Sequence, residues 1–172
     1  MEKWLIKSAD VLDRWVQQIG AFLSWTSLAL IAAIVIQVVL RYVFRAGLVQ
    51  LEELQWHLYG VLIMVGLSYA QTMDSHVRVD LFHHKYSPRT QAVVEILGTL
   101  ILLFPFIYVV MYHSMDFIAD SFIRMERSVA PEGLPYRWVV KSLMPFGFFL
   151  LLLTAFSRLL RDIIRVVKPN GY

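Results

Sequence analysis

The chain has 172 residues, of which 58% are apolar and 17% charged, with no cysteine; its mean hydropathy is +0.60. A soluble domain of this length needs more polar surface to cover its core, so the composition excludes an ordinary soluble globule, and the lack of cysteine excludes disulfides and thiolate metal centres. The net charge of +3 and the pI near 9.3 fit cations facing anionic lipid, and nucleic acid is not needed to explain them.

In chain order, residues 3–18 come first. Trp4, Leu5, Val11, Leu12, Trp15 and Val16 recur at helical spacing, with Lys3, Lys7, Asp10, Asp13 and Arg14 between them. That pattern predicts an amphipathic helix in the interface, or one docked on a partner. Residues 19–40 carry no charge; at about 1.5 Å per residue they reach about 33 Å, enough to cross a hydrocarbon core of about 30 Å. Further apolar runs at 56–73, 91–112 and 138–160 predict three more spans. Two pairs, Ala29 with Ala33 and Gly66 with Ala70, have the four-residue spacing of close helix contacts.

Between the second and third spans, His76-Val77-Arg78-Val79-Asp80 alternates polar and apolar residues, the period of an extended segment. Ser87-Pro88 then reads as the N-cap and first position of the third helix. Pro105 in the third span and Pro145 in the fourth predict kinks, by freeing the carbonyls of Ile101 and Lys141. Residues 115–127 show the spacing of a short interfacial helix before a turn at 131–135, and 158–168 that of a third such helix. The expected fold is an all-α integral membrane protein, one domain over 1–172, with four transmembrane helices plus interfacial amphipathic helices at 3–18, 115–127 and 158–168.

Lys and Arg placement sets the expected orientation. With four spans, Lys3, Lys7, Arg14, Arg78, Lys85, Arg89, Arg158, Arg161, Arg165 and Lys168 share one side; Arg41, Arg45, Arg124, Arg127, Arg137 and Lys141 share the other. The richer side is cytoplasmic, so both termini are expected there.

No nucleophile elbow, phosphate loop or HExxH motif is present. No catalytic residue, cofactor or metal is therefore expected. His57 and His113 fall at matching depth on neighbouring spans, which admits a bis-histidine haem electron carrier as an alternative; an assembly factor for another membrane complex is a second. Independent transport is not expected either, because the spans carry few polar groups at mid-depth and no inverted repeat.

Several stretches together resemble the small membrane subunit of TRAP transporters, the DctQ-like family. They are Arg41-Tyr42-Val43-Phe44, Glu52-Glu53, Gly66-Leu67-Ser68-Tyr69-Ala70, His76-Val77-Arg78-Val79-Asp80, and Glu132-Gly133-Leu134-Pro135 followed by Trp138, Lys141 and Pro145. The resemblance spans roughly residues 21–160; where the family often has two glycines before Leu-Pro, this chain has Glu132 and Gly133. It implies a small permease subunit in a bacterial inner membrane. Its partners would be a large elevator-like subunit, a periplasmic substrate-binding protein and the bilayer, in sodium-driven uptake of organic acids. On this basis Arg41, Glu52, Glu53, His76, Arg78, Asp80, Gly133, Pro135 and Lys141 are the expected partner-binding or structural residues. Arg124 and Arg127, on the outer side, are the expected docking residues for the binding protein.

Overall fold

A computed structural model describes residues 2–73 and 86–167. His76, Arg78 and Asp80 lie outside these residues. Every regular element described is helical: α1 (Glu2–Leu23), α2 (Thr26–Tyr42), α3 (Val49–Thr72), α4 (Pro88–Gly98), a π-helical turn (Thr99–Leu103), α5 (Phe104–Ile123), α6 (Arg137–Lys141) and α7 (Leu143–Val167).

The breaks have local causes. Ser24, Thr26 and Ser27 turn their hydroxyls onto the carbonyls of Ala21, Leu23 and Ser24. Such back-bonding competes with the helical ladder and bends it. The boundary between the first helix and its continuation therefore falls at Ser24–Trp25, not at residue 18. Ser87 caps α4 by accepting from the Thr90 amide at 3.3 Å, with Pro88 at the first helical position, as expected. The disturbance expected at Pro105 takes the form of the π turn just before it, where the Phe104 amide reaches back to Thr99. Pro145 behaves differently from expectation. The helix already breaks at Ser142, so Pro145 falls in the first turn of α7, where a missing N–H costs nothing.

Two expected interfacial helices are not separate elements. Residues 115–123 continue α5 without a break, and 158–167 continue α7. Among the described residues three helical stretches are long and apolar enough to cross a membrane: Trp4–Tyr42, Arg89–Ile123 and Arg137–Val167. α3 falls outside this group because Glu52, Glu53, Gln55, His57 and Gln71 dilute its apolar run.

α7 is the centre of the packing. α1, α3, α4 and α5 all lie against it, α2 packs chiefly on α3, and α5 has its main contacts with α7 and α6. The result is an open row, α2–α3–α7–α4/α5, with α1 laid across α3 and α7. Val16, Val65 and Leu150 form the core where α1, α3 and α7 meet, with Ile19, Leu23, Val61 and Leu153 around them. α1 is therefore docked on its own chain: Ala9, Asp13 and Val16 are buried, Ser157 donates to the Ala9 carbonyl at 3.1 Å, and Trp4, Val11, Trp15 and Phe22 face outward.

Lipid tails are as apolar as leucine, so helices in a membrane associate through close packing and polar ties. The close approaches are at Gly20 and Gly147. A Cβ at Gly20 would lie 2.5 Å from the Tyr69 ring, and one at Gly147 would lie 2.8 Å from Met64 Cβ. Of the expected small-residue positions, Ala33 is buried where α2 meets α3, with its carbonyl accepting from Gln55, whereas Ala29 is exposed and Gly66 has open space beside it.

Candidate functional site

The polar residues gather at the two ends of this row. At the start of α3, Gln37 is buried in α2 and donates to Glu52 Oε1 at 3.0 Å, while its own oxygen accepts from the Leu48 amide at 3.4 Å. Arg41 stands 3.6 Å from the same Glu52 oxygen. Gln55 donates to the Ala33 carbonyl at 3.2 Å. A buried amide needs these partners, so the short connection between α2 and α3 is fixed from inside.

Glu53, one residue on, holds the loop between α5 and α6. Its carboxylate accepts from the Leu134 amide at 2.6 Å and from the Ser128 hydroxyl. The loop folds back on itself: the Ser128 amide donates to the Leu134 carbonyl, the Gly133 amide to Ala130 and the Arg137 amide to Glu126. Gly133 is required sterically, since a Cβ there would collide with Ser128 and lie 2.8 Å from Glu53 Oε1. The loop's two ends turn through left-handed backbone at Met125 (φ 45°) and Tyr136 (φ 62°). Non-glycine residues occupy that region only when their surroundings hold them there.

Glu126 closes the loop on the other side. It accepts from Lys141 Nζ and lies 3.8 Å from Arg137. Lys141 also sits 3.8 Å above the Phe117 ring. The Lys141 hydrogen bond holds the Glu126 carboxyl below its usual range.

The second cluster lies where α7 meets α1 and α4. Arg161 pairs with Asp13 at 2.6 Å and Asp10 at 2.9 Å, Arg158 with Glu95 at 2.6 Å, and Arg165 with Asp162 at 3.0 Å. Asp13 and Asp162 are buried. Among the described residues Glu95 is held by Arg158; Arg78 lies outside them.

Of the residues singled out from sequence, Arg41 joins Glu52, and Glu53 joins the loop that carries Gly133 and Pro135. Lys141 meets Glu126. Arg124 makes an exposed pair with Asp120 at 2.9 Å, and Arg127 is exposed. Gln37, Ser128 and Glu126 were not anticipated. Gln37 carried a signal, since a lone amide in an apolar helix needs a partner; the other two lie in a loop whose path no periodicity reveals.

His57 is half-buried at the start of α3, and His113 is exposed with its ring edge-on to Tyr112. Among the described residues no group of three or more His, Cys, Asp or Glu is placed to hold a metal ion. The chemistry of both clusters is that of ties: charge-assisted bonds that fix helices and a loop.

The sequence profile for tripartite ATP-independent periplasmic transporters, DctQ component, matches residues 30–165. The chain belongs to the DctQ family. No curated protein matched it. The matched stretch runs from inside α2 almost to the end of α7. It takes in the whole cluster at the start of α3 and, of the second cluster, all but Asp10 and Asp13. Membership makes this DctQ chain a component of a membrane transporter and places it outside the enzyme families.

Proposed function

We propose that the chain is the small permease subunit of its transporter and forms the fixed wall against which a large, elevator-like subunit moves. The observation that carries this reading is the open row of helices tied at both ends. Each tie, Glu53 to the 126–136 loop and Arg161 to Asp10 and Asp13, links elements far apart in sequence. A row leaves two broad apolar faces for a partner and lipid, while charges at both ends resist vertical displacement into hydrocarbon. In this reading α3 is the fourth span, residues 1–172 act as one domain, and both termini are cytoplasmic by the positive-inside argument.

The wider system in this reading takes up organic acids, is driven by sodium and is fed by a periplasmic binding protein, in the bacterial inner membrane. Arg78, within the His76–Asp80 stretch, belongs to a fixed charge network and pairs with Asp74, Asp80 or Glu95, or with the partner subunit. Arg124 and Arg127 belong to the outer docking surface for the binding protein. The test is reconstitution. The chain alone in liposomes should give no solute uptake under a sodium gradient, and uptake should appear when the large subunit and binding protein are added. Sodium-driven uptake by this chain alone would overturn the proposal.

A further inference from the structure

At the end of the row that carries Glu53, a cavity of about 310 Å³ opens between α3, α6 and α7, with Phe117 of α5 in its wall. Its polar lining is His57, Arg137 and Lys141, and among the described residues no carboxylate lines it. The remaining wall is apolar and includes Gly60, Met64 and Met144. A Cβ at Gly60 would meet nothing within 4 Å, so the cavity stays open one turn along α3 from Trp56. Met64 lines it a turn further on. A polar mouth is thus joined to an apolar wall that extends about 12 Å along α3.

The donors at the mouth are not used up by their neighbours. Lys141 donates to Glu126, but Arg137 stands 3.8 Å from that carboxylate, too far for a hydrogen bond. Glu53, the other carboxylate at this corner, gives one oxygen to the Ser128 hydroxyl and the other to the Leu134 amide. Among the described residues neither the Arg137 guanidinium nor the His57 ring has a hydrogen-bond partner. The Arg137 side chain is 39% exposed, so part of a five-donor group is shielded from water without an acceptor, which is costly. Net charge selects nothing here, because Arg137 and Lys141 face Glu53 and Glu126. What the corner lacks is acceptor oxygens. A phosphate offers several in a geometry that a guanidinium fork matches.

We propose that this cavity holds a phospholipid by its phosphodiester, whose oxygens accept from Arg137 and His57, while an acyl chain runs over Gly60 toward Met64. The lipid is favoured over a soluble phosphate because the wall beyond the cations is apolar. Trp56 lines the same cavity and is 72% exposed, which suits the headgroup layer. This rests on the reading of α3 and α7 as spans, which brings the cations to the outer headgroup level.

The test is native mass spectrometry of the full chain released from nanodiscs. The discs contain phosphatidylglycerol, phosphatidylethanolamine or a galactosyl diacylglycerol, which has no phosphate. Retention of the two phospholipids should be similar and should exceed that of the glycolipid roughly tenfold, as a charge-assisted bidentate contact allows. Arg137→Gln should remove this preference. Gly60→Leu keeps the cations and fills open space, so it should fold and still lower phospholipid retention. Arg124→Gln, an exposed cation near the end of α5, should change nothing. The lipid series needs no mutant, so a misfolded variant does not blunt the test. Equal retention of the glycolipid, as expected if only water fills the cavity, would overturn the proposal. So would phospholipid retention unchanged in both Arg137→Gln and Gly60→Leu. Displacement by an equal concentration of soluble glycerol phosphate would overturn the lipid source. Loss of the lipid in the complex with the large subunit would make the cavity a socket for that partner and would overturn the proposal too. Copurification with the large subunit tests the wall separately.

Discussion

Glu53 accepts a hydrogen bond from the Leu134 amide at 2.6 Å, across 81 positions of sequence. That bond joins the start of α3 to the loop before α6, and Gly133 stands beside it with no room for a side chain. Gly133→Ala should force the loop off Glu53 and cost about 1–3 kcal/mol, as overpacking does. At about 2–4 °C per kcal/mol for a chain of this size, a thermal melt of the detergent-solubilised chain should detect the loss. Glu53→Gln should leave the helices intact but expose the 126–136 loop to proteolysis. A loop equally protected in both variants would show that this tie is incidental.

The tie between Glu126 and Lys141 should depend on pH. The folded carboxyl titrates below its ordinary value of 4.5, so the bond stabilises the fold above that pH and is lost as pH falls through the lower folded value. The difference in melting temperature between the native chain and Glu126→Gln should stay constant from pH 7 to about pH 5 and close below the ordinary value. A difference that grows on acidification would contradict this assignment.

Arg161 bridges α7 to Asp10 and Asp13 of α1, and the Asp13 side chain is only 9% exposed. Arg161→Met keeps bulk but strands a buried carboxylate, a loss of about 3–5 kcal/mol for a broken buried pair. Asp13→Asn in the same chain should recover part of it. Recovery of nothing by the double variant would mean that the pair is not coupled.

Much of this architecture was legible in the sequence. The long apolar runs disclosed the apolar helices, Ser87-Pro88 disclosed the start of α4, and the motif stretches disclosed the family. Helix ends were less legible. Residues 115–123 and 158–167 have amphipathic spacing whether they form separate helices or continue α5 and α7, so periodicity alone does not place the breaks. The outward face of α1 hid a second, packed face, because Asp13 reads as a surface charge until Arg161 is placed beside it. The partners of Glu53 and Lys141 were illegible for a related reason: Ser128 and Glu126 meet them only through a loop turned by left-handed residues at Met125 and Tyr136.

The outer-surface proposal gives a kinetic prediction. Arg124 and Arg127 are exposed, and rim charges steer association more than they set final affinity. Arg124→Glu with Arg127→Glu should slow uptake several-fold at limiting binding protein and low ionic strength, with a smaller effect in high salt. Yield of the complex with the large subunit should not change. Identical uptake curves in both salts would remove these residues from docking.

The central claim is that the row of helices stays fixed during transport, and the chain's lack of cysteine allows a direct test. A Cβ at Gly147 would lie 2.8 Å from Met64 Cβ, short of the ~3.5–4.5 Å that a disulfide spans, so the two helices must part by about 1 Å to admit one. Met64→Cys with Gly147→Cys would then bolt α3 to α7. In the reconstituted transporter, uptake before and after oxidation of this pair should agree within about twofold, since a wall has no need to move. Loss of uptake on oxidation, restored by reductant, would show that α3 and α7 move against each other and would contradict the account.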